Sequence, residues 1–210
     1  MQIRYPVKLT IEEYLEQRAW EQAELDHCPF HPEGGCGLAG HGTYPRKFPE
    51  YCLVPRWYCP DARRSISLLP DFFASRLPGT LDEVEEAVNM AEEYGSREKA
   101  AEALRPASSL PSGLRWLRRR LKYVREVLTI LVGLLVTECA PDLRSFRLKL
   151  GTDRVLTSLR EIALAHLSCL PPIVGFGPSA GGIVSDGQPT IDGDWQWADK
   201  RVKSHHNHKQ

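Results

Sequence analysis

Apolar residues recur every three or four positions through most of the chain after residue 79, which is the period of a helix that buries one face. The longest series predicts a helix over roughly 113–138. Its members are Leu114, Leu117, Leu121, Val124, Leu128, Leu131 and Leu135. Shorter series predict helices over 80–94, 96–104 and 142–150, and one from 153 that ends before the prolines at 171 and 172. The second half is therefore predicted to be a multi-helix body. A very short link between its first two helices makes that segment helix-turn-helix-like.

Polar residues mark where several of these helices begin and end. Two strings of the Thr-x-x-Glu type, which begin at Thr10 and Thr80, are capping boxes in which the threonine hydroxyl accepts an amide and the glutamate reaches back. The first predicts a helix over about 10–25. Gly95 is predicted to end a helix in the left-handed conformation, and Asp153 to cap the last helix of the body.

Residues 27–78 follow a different pattern, because they hold eight of the sixteen prolines and two strand-like runs at 43–48 and 51–58. Such a stretch buries little apolar surface by itself, so a bound metal would contribute to its stability. After residue 176 the chain turns to Gly, Pro, Ser and Asp, which predicts a poorly ordered tail. The predicted segments are an N-terminal helix (1–26), a zinc-ribbon-like module (27–78), a helix-turn-helix-like segment with the long helix (79–140), C-terminal helices (141–176) and the tail (177–210).

Composition leaves the partner class open but disfavours a membrane. The 210 residues have a formal net charge of zero, so bulk charge does not indicate a polyanion partner. The longest apolar run, 127–136, would span only about half a bilayer as a helix. The first ten residues lack an apolar signal core, which predicts a cytoplasmic protein. Disulfides are rare in that compartment, so clustered cysteines are better read as metal ligands.

Four of the six cysteines and three of the seven histidines fall within residues 27–59. Zinc sites in small loop-rich folds need four N or S ligands, supplied in short pairs separated by a loop. Cys28-Pro-Phe-His31 has the spacing of a first pair, and Cys59-Pro begins a second pair that has Ala62 where its last ligand belongs. We therefore predict a Zn²⁺ site with Cys28, Cys59 and His31. The fourth ligand stays open between Cys36 and His41. Cys52, in a strand-like run, is interpreted as a buried core residue. The predicted fold class is α+β, mostly α, with this small zinc-bound β module on the helical body.

A row of basic side chains lies on one face of the long helix beside its leucine stripe. Arg115, Arg118, Arg119 and Lys122 are spaced at i, i+3, i+4 and i+7. Arginine on a rigid helix can follow a phosphate backbone and enter a major groove, where its planar group binds phosphate or guanine with two bonds. The alternative is a solvated face that pairs with the acidic helix near 81–93, because residues 81–102 hold eight carboxylates.

The ribbon offers a second candidate surface for nucleic acid. Basic groups alternate there with aromatic ones, an arrangement that suits phosphate contact and base stacking. The residues are His41, Tyr44, Arg46, Lys47, Arg56 and Trp57, followed by Arg63 and Arg64 after the second cysteine pair. The competing interpretation is that the rings of Tyr44 and Trp57 cover a small core beside the metal, which leaves the arginines free to bind.

Several strings occur in a fixed order between about residues 25 and 175. They are CPFHPEGGCG, HGTYPR, RWYCP, SLLPDF, GTLDEVE and LRWLRRR. Together they resemble the uncharacterised zinc-ribbon-plus-helix proteins found beside bacterial insertion-sequence transposases. The resemblance implies a zinc-binding domain in a mobile-element accessory protein that contacts DNA. Related ribbons carry Cys-x-x-Cys at both pairs. The departures at His31 and Ala62 imply that Cys36 or His41 joined the site.

These observations favour a zinc-dependent protein that binds double-stranded DNA, is not an enzyme, and positions DNA or recruits a separate transposase. The alternative is a zinc-stabilised interaction adaptor without direct DNA contact, whose leucine-rich helix dimerises or docks a partner protein. A homodimer is compatible with both. A catalytic zinc would need an open coordination position and a nearby base, and no spacing indicates either.

Overall fold

The computed structural model describes residues 1–46, 48–135 and 138–176. Lys47, which the sequence grouped with the ribbon's basic residues, lies outside these ranges, as does the tail predicted for 177–210. No helix within the ranges is both long and apolar enough to cross a membrane.

Four strands form one mixed sheet. They are β1 (Gln2–Tyr5), β2 (Ala39–Pro45), β3 (Leu53–Cys59) and β4 (Arg64–Pro70). Their spatial order is β1-β4-β3-β2, in which β1 runs parallel to β4 and the other neighbours are antiparallel. The sheet therefore joins the start of the chain to the ribbon segment.

The expectation of a mostly α protein with a small β module is wrong. Among the described residues, helices account for 43% and the four-stranded mixed sheet for 18%, so the fold is α+β. Strand β1 escaped detection because four residues are too few to show an alternation of apolar and polar positions. Its partner is also remote in sequence, since Gln2 lies opposite Ser67. Non-local pairing of this kind leaves no local pattern.

Six α-helices lie within the described ranges. They are α1 (Ile11–Glu16), α2 (Leu81–Glu93), α3 (Arg97–Leu104), α4 (Leu110–Leu134), α5 (Leu143–Leu150) and α6 (Val155–Ile162). Helix α1 is shorter than the predicted 10–25, because Arg18 takes a left-handed conformation and a 3₁₀ turn, Ala19–Glu21, follows it. Helix α4 begins three residues before its predicted start, with proline in its first turn.

Both predicted capping boxes are confirmed. The Thr80 hydroxyl accepts from the Glu83 amide at 3.0 Å, and the Glu83 carboxylate accepts from the Thr80 amide at 2.7 Å. The box at Thr10 has the same two bonds. Gly95 follows α2 with φ +61°, as predicted for a left-handed cap.

The predicted cap at Asp153 is wrong. The carboxylate of Asp153 lies 3.5 Å from Arg147 instead. The first amides of α6 are capped by a distant residue, Glu85 of α2, whose two carboxylate oxygens accept from Val155 at 3.1 Å and Leu156 at 3.0 Å. An anion at a helix N-terminus satisfies orphan amides and complements the helix dipole. Glu85 thereby joins α2 to α6.

The main core lies between the helices and one end of the sheet, and a buried arginine connects it to the last described segment. Arg160 donates to the carbonyls of Phe73 at 2.9 Å and Val174 at 3.1 Å, and also to those of Asp71 and Ile173. Burial lowers the pKa of Arg160 to about 9, so the group remains charged near neutral pH. This guanidinium holds residues 171–176 against the chain that follows β4.

Candidate metal centre and basic surfaces

Four side chains from three parts of the ribbon segment meet at one point. Cys28 and His31 come from a turn before β2, in which the His31 amide donates to the Cys28 carbonyl at 3.1 Å. Cys36 comes from the following loop, and Cys59 is the last residue of β3. One N or S atom of each lies within 4.8 Å of the others, so this Cys₃His cluster could hold a metal ion.

The distances within the cluster fit a tetrahedral ion. His31 Nδ1 lies 3.6 Å from the sulfur of Cys28 and 3.4 Å from that of Cys59. Typical Zn–S and Zn–N bond lengths at a tetrahedral angle place S and N about 3.6 Å apart. The three sulfurs are buried and His31 is half-buried, so the ligand atoms face inward. Nδ1 is the ring atom directed into the cluster.

The electrostatics of the thiols also favour a bound cation. Burial opposes ionisation of Cys28, but contacts from His31, the Phe30 amide and the other two thiols bring its pKa down from 9.0 to about 7. Burial and the neighbouring Cys28 raise the pKa of Cys36. The neighbouring thiols of Cys28 and Cys36 therefore do not ionise independently, since one ionises more readily and the other less readily than a free thiol. A divalent cation resolves this conflict because a coordinating thiol is deprotonated outright.

The turn that begins at Cys59 keeps the backbone form of a metal-binding turn, although Ala62 offers no ligand. The Ala62 amide donates to the Cys59 sulfur at 3.4 Å. In place of a side chain at Ala62, the loop brings Cys36 into the candidate cluster, a choice that the sequence had left open against His41. The cluster rests on a small apolar group formed by Ile3, Ala23, Leu25, Ile66 and Leu68.

The other two ribbon candidates lie elsewhere. His41 is exposed on β2, and its ring centre lies 5.6 Å from that of Tyr58. Cys52 is completely buried in the main core, where burial raises its pKa to about 11. This placement of Cys52 agrees with its interpretation as a core residue.

The basic row of α4 reaches solvent. Arg115, Arg118, Arg119 and Lys122 are all exposed. Arg119 lies over the Tyr123 ring at 5.7 Å, and Lys122 pairs with Glu126 of the same helix at 3.6 Å. The adjacent Arg120 points the other way, where it is buried against the Trp116 ring at 3.8 Å and donates to the Pro78 carbonyl at 2.9 Å.

The acidic helix α2 does not neutralise this row. Asp82 pairs with Arg154 at 2.9 Å, and Glu85 with Arg147 at 3.4 Å, so the ion pairs of α2 go to α5 and to the start of α6. Within 1–46, 48–135 and 138–176, no ion pair joins α2 to the basic face of α4. That interpretation of the acidic helix is therefore not supported.

Helices α2, α3 and α4 pack as a three-helix unit around a small core of Ala87, Ala100, Ala101 and Leu117. The approach of α3 to α4 is close at Gly113, where an added Cβ would lie 3.5 Å from both the Cβ and the carbonyl oxygen of Ala101. Small residues at the crossing bring the two helices together and brace the N-terminal half of α4, which carries the basic row.

The ribbon's basic residues divide into a half-buried group and an exposed group, and one exposed member, Arg64, has its guanidinium 5.6 Å from the Phe30 ring. Arg46 donates to the Leu77 carbonyl at 2.9 Å and lies over the Phe73 ring at 4.6 Å, so it anchors a loop. Arg56 is half-buried beside the Tyr44 ring. Arg63 and Arg64 are exposed in and after the turn between β3 and β4.

Aromatic residues of the ribbon lie on opposite sides of the sheet. Trp57 packs against the apolar group beside the cluster, in agreement with a covering role. Tyr58, for which the sequence carried no prediction, lies on the opposite face, where it pairs with Ser65. The rings of Trp57 and Tyr58 lie on different sides of the sheet because successive residues of a strand point to opposite faces.

A scan of protein-family models, a search of curated proteins and a search of solved structures found no match to this chain.

Proposed function

We propose that the Cys₃His cluster binds one structural Zn²⁺. Three thiolates and one imidazole form a donor set suited to zinc, and four protein ligands leave no position for a reactive water. The ion would tie the turn at 28–31 and the loop at Cys36 to the end of β3. This role favours a non-enzymatic protein in which zinc organises a small sheet.

We further propose that the protein binds double-stranded DNA through α4. The carrying observation is the exposed row Arg115, Arg118, Arg119 and Lys122, which no α2 carboxylate neutralises. A helix-turn-helix protein places its last helix in the major groove, with the preceding helix braced across it. Helices α3 and α4, packed at Gly113, supply such a pair.

The biological setting that we propose is that of a mobile-element accessory protein which positions DNA or recruits a separate transposase. This part rests on the ordered strings that resemble proteins found beside insertion-sequence transposases. The exposed basic helix and the metal cluster are consistent with that setting, and the cytoplasm is the compartment in which free thiols of this kind persist.

The test is the affinity of the zinc-loaded full chain for a labelled duplex across a salt series, measured by fluorescence anisotropy. In Arg118→Glu/Arg119→Glu, two lost phosphate contacts should lower the slope of log affinity against log salt by about 2. The control Lys8→Glu/Arg144→Glu makes the same charge change at exposed positions outside α4. Equal binding by the two variants would contradict the assignment to α4.

A second candidate function is an interaction adaptor. Ile130 and Leu134, each 39% exposed, give the C-terminal half of α4 an apolar outer side. Absence of duplex binding at low salt, together with dimerisation that Ile130→Glu abolishes in sedimentation analysis, would favour this function over DNA binding.

A further inference from the structure

The sheet has one face covered by the metal cluster and one face that is partly open. Residues directly opposite each other in paired strands lie on the same face. Arg56 lies opposite Ser67, Ser67 opposite Gln2, and Tyr58 opposite Ser65. We call the surface formed by Gln2, Tyr44, Arg56, Tyr58 and Ser65 the open sheet face; Ser67 lies on the same side but is buried. The other face carries Ile3, Trp57, Cys59, Ile66 and Leu68, which pack around the cluster.

The open sheet face is polar and aromatic, and its strands carry no acid. The four strands contain three arginines and no aspartate or glutamate. Of these arginines, Arg4 is paired with Asp71 at 2.6 Å. Arg56 has no carboxylate partner among the described residues, and its Nε is buried without a hydrogen-bond partner. A half-buried cation in this state favours an anionic ligand, because pairing offsets its desolvation.

Aromatic rings lie beside this cation. The guanidinium of Arg56 is 5.8 Å from the Tyr44 ring. The rings of Tyr58 and His41 are 5.6 Å apart and inclined by 38°. His41 reaches Tyr58 because it follows Ala39, the residue opposite Tyr58, by two positions and therefore lies on the same face of the sheet. The result is a pair of adjacent rings at the rim of a cationic surface.

A shallow groove continues this surface toward the loop after β4. It has a volume of about 310 Å³ and is lined by Gln2, Tyr44, Arg46 and Arg76, among others. The Arg76 amide donates to the Gln2 side chain at 2.9 Å, which fixes the loop beside β1 while leaving the Arg76 side chain exposed. The open sheet face and the groove therefore offer cations at two points, and the Tyr44 ring lies beside both.

We propose that the open sheet face binds unpaired nucleotides of single-stranded DNA, with Tyr58 and His41 stacking on bases and Arg56 contacting phosphate. Bases in a duplex are stacked on one another and present only their edges to a protein. A flat sheet with rings and cations instead matches the exposed faces and backbone of a single strand. The proposal uses none of the α4 residues, so it stands or falls separately from the proposed duplex binding.

The test compares a labelled oligothymidylate with a labelled duplex, both measured by fluorescence anisotropy on the zinc-loaded full chain. Tyr58→Leu/Arg56→Gln should weaken single-strand binding about 10- to 100-fold, because stacking of one base contributes about 1–3 kcal/mol. Duplex affinity should change less than twofold. The matched control, Tyr94→Leu/Arg144→Gln, makes the same chemical changes at exposed positions away from the sheet and should change neither.

Two further measurements separate stacking from folding. Tyr58→Phe keeps the ring and should retain single-strand affinity. In the unmodified protein, a single strand carrying 5-iododeoxyuridine should photo-crosslink to Tyr58 or His41, as mapped by mass spectrometry. Crosslinks confined to α4, or single-strand affinity unchanged in Tyr58→Leu/Arg56→Gln, would overturn the proposal.

The outcomes also separate this proposal from duplex binding. Suppose that Arg118→Glu/Arg119→Glu loses affinity for both the single strand and the duplex, while Tyr58→Leu/Arg56→Gln loses neither. This outcome would overturn the sheet proposal and would agree with the proposal that α4 binds duplex DNA. Tyr58-dependent single-strand binding without any duplex binding would support the sheet proposal and refute the duplex one.

Discussion

Replacing Cys36 with serine tests the ligand set most directly, because this position takes the place that Ala62 leaves without a ligand. Cys36 is 4% exposed and lies with Cys28, His31 and Cys59 in the cluster. Structural zinc sites in small modules bind with about 10–16 kcal/mol in total. Shared equally among four ligands, this gives about 3 kcal/mol for each. Cys36→Ser should therefore weaken zinc binding about 100-fold.

The assay is competition for Zn²⁺ against a chromogenic chelator, followed by zinc content after gel filtration. The matched control is His41→Ala, because His41 is the rival ligand and its ring faces Tyr58 on the exposed side of β2. The control should bind zinc within twofold of the unmodified protein. If His41→Ala loses zinc while Cys36→Ser keeps it, the assigned ligand set is refuted.

Three further predictions concern the rest of the fold. Glu85→Gln weakens the anionic cap on α6 and should lower the free energy of unfolding, measured in urea, by about 2 kcal/mol. The control Glu86→Gln changes an exposed neighbour and should lower it by less than about 0.5 kcal/mol. Equal effects of the two changes would contradict the cap. Gly113→Leu should destabilise the protein by about 1–3 kcal/mol, because the larger side chain overpacks against Ala101. Gly113→Ala makes only ordinary contact with Ala101 and should not destabilise it. A leucine variant as stable as the unmodified protein would show that α3 and α4 do not cross closely. Chelation of zinc should speed amide hydrogen exchange at residues 28–45 and leave the amides of α2 protected. If residues 28–45 stay as protected as α2 after chelation, the ion does not organise the ribbon.

Several of the features that the sequence predicted correctly depend on neighbours within about four residues. A threonine at the N-cap position accepts from the amide three positions later, so both capping boxes were identified from their spacing. A glycine that follows a helix adopts a left-handed conformation at little cost, which located Gly95. Cys28 and His31 share one turn, so their spacing alone placed both in one candidate metal cluster.

Only the tertiary structure decided the contacts between remote segments. Cys36 and His41 both lie between His31 and Cys59 in the sequence, and the path of the chain places Cys36 in the cluster and His41 against Tyr58. The pairing of β1 with β4 and the cap of Glu85 on α6 likewise join segments far apart in the chain. Local sequence determines which helices and turns are stable, because their hydrogen bonds are short-range. The packing of apolar surfaces then determines which side chains meet, because burial depends on the whole fold rather than on any single segment.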